Sequence, residues 1–154
     1  MLKKILAYLL MMILIFAVTY FVNYDMGNLG YISLSDGIIM VLAKYFIPSY
    51  GMLVAGIPCV ICDFLLGCRQ YALFTFVIKA AEAYFVSFFL EKKKKFTSVT
   101  FVAGIILVIV MVLVDLYLYG KVILQVSIIK NSVQILLSLL LADTVNYFLE
   151  KIRK

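Results

Sequence analysis

The stretch "YALFTFVIKAAEAYFVSFFL", residues 71–90, decides how the rest of the chain is read. It is long enough to cross a bilayer as one helix, since a span needs about 20 apolar residues. Yet Lys79 and Glu82 lie in its middle, where a charge is costly and marks a functional position by default.

Composition supports the membrane reading. The chain has 154 residues, of which 66% are hydrophobic and only 14% charged. Mean hydropathy is +1.15. So few charges cannot cover a water-facing surface. The net charge of +6 has no histidine behind it, which excludes His-based catalysis and His-ligated metals. The basic residues sit at the ends of apolar runs, which is a topology signal rather than a nucleic-acid footprint.

Working outward from residues 71–90, the hydropathy pattern predicts a single all-α membrane domain over 1–154. Its six spans fall at about 5–22, 33–47, 50–67, 71–90, 98–119 and 122–149. The first apolar run is too long for a signal-peptide core and is read as a retained helix. The polar segment "NYDMGNLGYISLS" separates it from a short second span that stops before Pro48. Lys3 and Lys4, Lys92 to Lys95, and Lys151, Arg153 and Lys154 then share one side, nine of the 14 basic residues. Arg69 and Lys121 alone fall between spans on the other side. The positive-inside rule places both termini in the cytoplasm. Tryptophan is absent, and tyrosines such as Tyr20, Tyr31 and Tyr117 supply the aromatic belt.

The intramembrane polar residues cluster in the outer half. Lys79 and Lys130 lie about 12 Å below the outer boundary. Tyr71, Thr75, Lys79 and Glu82 form one stripe on the fourth helix. Ser127, Asn131, Gln134 and Ser138 form another on the last, with Lys130 at its edge. Matching depth predicts a shared cavity that opens outward. The substrate-binding residues are then Asp36, Tyr71, Thr75, Lys79, Glu82, Lys130, Asn131 and Gln134. Asp63, Arg69 and Asp115 are expected at its outer rim. A simpler reading makes Lys79 and Glu82 a private i,i+3 ion pair. Asp143, deeper and on the opposite face, reads as a packing or partner contact.

Other chemistry is poorly supported. "CVIC", residues 59–62, lacks the further ligands a metal needs, and its apolar flanks quiet a thiolate. Gly51, Ala55 and Cys59 make a small-residue packing stripe. No phosphate-binding loop or nucleophile motif occurs, so the chain is read as a non-enzyme without cofactor or metal.

Residues 30–84 resemble the substrate-binding S components of energy-coupling factor (ECF) transporters, in the riboflavin, hydroxymethylpyrimidine and pyridoxine group. That group shows Gly-Tyr-Ile-Asn-Leu-Gly-Asp, then Pro-x-x-Gly, Ala-Asp-x-x-x-Gly-Tyr and Thr-x-x-x-Lys-Gly. The matching residues here are Gly30, Tyr31, Ile32, Leu34 and Asp36; Pro48 and Gly51; Asp63 and Gly67; Thr75 and Lys79. Asn131 and Gln134 fit an Asn-x-x-Gln near the end. Ser33, Ser35, Cys68 and Ala80 depart from the pattern, and the first span lacks the Ala-x-x-x-Ala by which many S components are thought to dock.

The resemblance implies a six-helix S-component bundle in a bacterial plasma membrane. It would bind a water-soluble vitamin or precursor near the outer surface. Its partners would be membrane lipid, a transmembrane coupling subunit and two cytoplasmic ATPases, with no nucleic acid. The outer-half charges balance in sign, so a neutral or zwitterionic heterocycle suits, with tyrosines to stack on it. Two other classes stay open: a six-span scaffold of a cell-shape complex, and a membrane thiol oxidoreductase.

Overall fold

The computed structural model describes residues 2–152. Arg153 and Lys154 of the expected basic cluster lie outside the described residues. Six α-helices carry the fold: α1 (Leu2–Phe21), α2 (Ser35–Leu42), α3 (Pro48–Leu65), α4 (Ala72–Glu91), α5 (Phe96–Tyr119) and α6 (Leu124–Ile152). Five are long and apolar enough to cross a membrane; α2 is not. Between α1 and α2 lies a hairpin of β1 (Asn23–Asp25) and β2 (Tyr31–Ser33), antiparallel, with Tyr24 opposite Ile32.

The second crossing differs from the continuous helix expected over 33–47. Only eight residues are α-helical, followed by a 3₁₀ turn at Ala43–Tyr45. Eight residues rise about 12 Å, less than half a hydrocarbon core. The hairpin supplies the outer half. Its Leu29 carbonyl accepts from Lys130 Nζ at 2.8 Å, and the Ser33 amide donates to Gln134 Oε1 at 3.4 Å. These α6 residues lie roughly 9 and 15 Å along the helix from its outer end. The inner end is fixed by the Ile47 amide, which donates to Tyr8 Oη at 3.3 Å, and by Lys44, which pairs with Glu150. Non-helical backbone there is tolerable because β2 is partly to fully buried against protein and lines a cavity. Serines at 33 and 35 favour the break, since Ser33 Oγ accepts from the Ser35 amide at 3.4 Å, a side-chain bond that competes with helical pairing.

Burial is inverted relative to a soluble bundle. Leu6, Leu10 and Ile13 on α1, Ile105, Ile109 and Leu113 on α5, and Leu136 and Leu140 on α6 are all exposed. Such continuous apolar faces suit a lipid solvent. The apolar core is built largely of small or branched side chains, with Ile15, Ile39, Val86, Ala83, Ala55 and Ala142 all at 0% exposure. The expected stripe of Gly51, Ala55 and Cys59 is buried, with Gly51 closed over by the Phe46 ring. Asp143 accepts from Thr97 at 3.3 Å, a contact between α5 and α6.

Gly37 sets how closely α2 meets α6. A Cβ there would stand 2.5 Å from the Ser138 carbonyl oxygen, a backbone atom that cannot swing away. Gly37→Ala must therefore push the two helices apart. The expected cost is about 1–3 kcal/mol, read as a lower thermal midpoint of the purified protein. An unchanged midpoint would mean that α2 is free to shift.

Candidate functional site

At the end opposite the lysine-rich turns, α3, α4, α5, α6 and the hairpin enclose a cavity of about 80 Å³. Parts of both polar stripes expected from sequence line it, without Glu82, Ser127 and Ser138. Tyr71, Thr75 and Lys79 line it from α4 and the turn before it; Lys130, Asn131 and Gln134 line it from α6. Their register follows from helical spacing, which stacks residues three and four apart on one face.

Two of the three expected rim residues belong to the wall. Asp115 is 2% exposed and is the acceptor at the centre of a network. Its Oδ1 accepts from Tyr71 Oη at 2.8 Å. Its Oδ2 accepts from Ser127 Oγ at 2.6 Å and Asn131 Nδ2 at 2.9 Å. Lys130 Nζ pairs with the same carboxylate at 3.0 Å and lies 5.6 Å from the Tyr71 ring centre. Asp63 is also 2% exposed. Its Oδ1 accepts from Tyr31 Oη at 2.7 Å, while its buried Oδ2 has no hydrogen bond, although the Thr75 hydroxyl is close enough to the carboxylate to interact.

Three expected residues stand elsewhere. Arg69 is exposed on the 3₁₀ turn before α4 and does not line the cavity. Asp36 lies under the cavity floor at 0% exposure, where its oxygens accept from Lys79 Nζ and, at 2.8 Å, from Gln134 Nε2. Glu82 is one turn deeper than Lys79 and abuts an apolar groove between α4 and α5 instead. The private Lys79–Glu82 pair is also corrected. Lys79 bonds Asp36, with Glu82 Oε2 at 3.9 Å.

The hairpin is the part that sequence reasoning missed. Leu29, Gly30, Tyr31 and Ser33 form the cavity's outer wall, and Tyr31 turns inward rather than anchoring in the interface. A signal was available, because Tyr31 belongs to the same Gly-Tyr-Ile run as Asp36. Cys59 and Cys68 also reach the wall. All three cysteines are free thiols, and burial pushes the Cys68 thiol up, away from the reactive thiolate.

A membrane bundle with a polar, outward-facing cavity and lysines tied to carboxylates belongs to the class of membrane-embedded small-molecule binders. More specifically, the chain belongs to the family of ECF-type riboflavin transporter S components, whose model matches residues 1–151. S components are membrane transporter subunits rather than enzymes. They bind a small vitamin and work with an ECF module of membrane and ATPase subunits. A protein of Pyrococcus woesei described as "Uncharacterized protein in gap 3'region" is 29% identical over 125 residues, covering 79% of this chain and 84% of that one. No solved structure matches the chain. Family membership sets the scaffold and oxidoreductase readings aside.

Proposed function

We propose that this chain captures a neutral, riboflavin-type heterocycle in the outward cavity and delivers it to a coupling subunit driven by two ATPases. The observation that carries the ligand class is the lone Oδ2 of Asp63. Both lysines of the wall are already neutralised, Lys79 by Asp36 and Lys130 by Asp115. What remains free is a buried carboxylate oxygen. A buried acceptor without a hydrogen bond is costly, which favours an occupant that brings an N–H or O–H. An anionic cargo would meet carboxylates with no cation to spare. Riboflavin fits this chemistry with an imide N–H, ribityl hydroxyls and a flat ring for Tyr71 to stack on. Asn131 and Gln134 supply further polar edges, and Thr75 a hydroxyl.

Volume adds a second requirement. Sites for small molecules usually enclose about 300–1,000 Å³, against about 80 Å³ here. The hairpin must therefore swing outward to admit a vitamin. Side-chain contacts that hold it include Tyr31 to Asp63, Ser33 to Gln134 and Lys130 to Leu29. Each is of a kind worth about 0.5–3 kcal/mol, which ligand contacts can replace.

The experiment is a titration of purified protein with riboflavin, alongside pyridoxine, hydroxymethylpyrimidine and flavin mononucleotide. Riboflavin should bind tightest, and the phosphorylated flavin more weakly. Asp63→Ala should cost about tenfold or more in affinity, the value of a hydrogen bond to a charged acceptor. Equal affinity of wild type and Asp63→Ala would remove Asp63 from the site. Preference for a different vitamin in the panel would reassign the ligand.

A further inference from the structure

Beneath the cavity, two carboxyl groups meet one ammonium. Asp36 is fully served, accepting from Lys79 on one oxygen and from Gln134 on the other. Glu82 is not. Neither of its oxygens takes part in a hydrogen bond, and Lys79 Nζ stands 3.9 Å from the nearer one. Its side chain is 0% exposed, and the same Lys79 ammonium lies within ion-pair distance of both its carboxyl and that of Asp36. Two ionised carboxylates do not sit that way, because neither can donate to the other and their charges repel.

Nothing else nearby relieves the charge. The groove beside Glu82 is lined by Ile78, Ala81, Phe85, Ala103, Leu107 and Val110, so α5 contributes no titratable group there. From α2 comes Asp36, from α4 Lys79. From α3 come Cys59 and Asp63, both close enough to Lys79 to interact. From α6 come Gln134 and Ser138, which do not titrate. An uncompensated carboxylate in such surroundings costs several kcal/mol.

We propose that Glu82 is a proton-binding site: it holds one proton at neutral pH and donates it as O–H to the Asp36 carboxylate. The proton turns two facing acceptors into a donor and an acceptor, and it leaves Lys79 committed to Asp36. The site is linked to the cavity, since Lys79 lines the cavity wall and touches both carboxyls. A ligand that displaces water above Lys79 makes ionised Glu82 still more costly. Ligand and proton therefore favour each other. Affinity is constant below the titration of Glu82 and falls by up to about tenfold per pH unit above it. This linkage rests on the cavity being the vitamin site; the proton site does not.

Infrared spectra of the lipid-reconstituted protein test the site directly. At neutral pH the wild type should show the carbonyl stretch of a protonated carboxylic acid that is missing in Glu82→Gln and fades at alkaline pH. A wild type without such a band overturns the proposal whatever the variant does, as does a band that persists unchanged in Glu82→Gln. Riboflavin titrations against pH then test the linkage. Glu82→Gln, isosteric with the protonated acid, should keep wild-type affinity at neutral pH and show a flat profile where the wild type declines. Parallel profiles with the band present overturn the linkage alone. No riboflavin binding to either protein, with the band present, overturns the cavity's assignment and leaves the proton site standing.

Discussion

Lys79→Ala should abolish ligand binding and lower stability by about 3–5 kcal/mol, the usual cost of removing one partner of a buried ion pair. Lys79 is 5% exposed and bridges α4 to α2 through Asp36, which Gln134 ties onward to α6. Without the ammonium, the Asp36 carboxylate keeps the Gln134 amide and the protonated Glu82 as donors but has no cation to neutralise it. The cost comes from the orphaned charge rather than from the lost bond. The double substitution Lys79→Met with Asp36→Asn should therefore regain most of the stability. It removes both charges, retains the methylene volume of the lysine and leaves an amide for Gln134. Ligand binding should stay lost, because Lys79 is part of the cavity wall. Thermal unfolding and ligand titration of the wild type and the two variants separate these effects. A single variant as stable as wild type would mean that water already reaches Asp36.

The polar stripes were legible because helical spacing and membrane depth are both written in one dimension. Tyr71, Thr75 and Lys79 could be aligned with Lys130, Asn131 and Gln134 before any coordinates, and they meet in space. The partner of Lys79 was not legible in that way. Sequence proximity favoured Glu82 at i,i+3, whereas the fold brings Asp36 from 43 residues away. Long-range pairing depends on which helices are neighbours, and hydropathy does not specify that. The hairpin failed for a different reason. Three-residue strands give too few alternations to show a period, and hydropathy cannot separate a polar loop that folds inward from one that stays in water. Asp63 and Asp115 were placed at the right end of their helices. Their depth was underestimated because the hairpin, by folding inward, roofs over what would otherwise be a wet rim.

Asp115 is where removing one side chain should disturb the outer half of the bundle most. Asp115→Ala takes the acceptor from Tyr71, Ser127, Asn131 and Lys130 together. Three of those donors are themselves buried, and Lys130 keeps only the Leu29 carbonyl of the hairpin among its hydrogen-bond acceptors. The expected loss is again about 3–5 kcal/mol, dominated by the unpaired ammonium. Asp115→Asn should cost less, because an amide oxygen still accepts, yet it faces donors with an NH₂ on one side. Combining Asp115→Ala with Lys130→Met should recover part of the loss, and the shortfall from additivity measures the coupling of the pair. The Lys79 and Asp115 networks share no hydrogen-bonding side chain among these contacts, so their stability losses should add even though both bound the same cavity. Binding is different: either network, once broken, releases one wall of the cavity, and affinity should already be lost in each single variant. A stability loss that is far from additive would show that the two carboxylate networks are one unit, joined through the cavity.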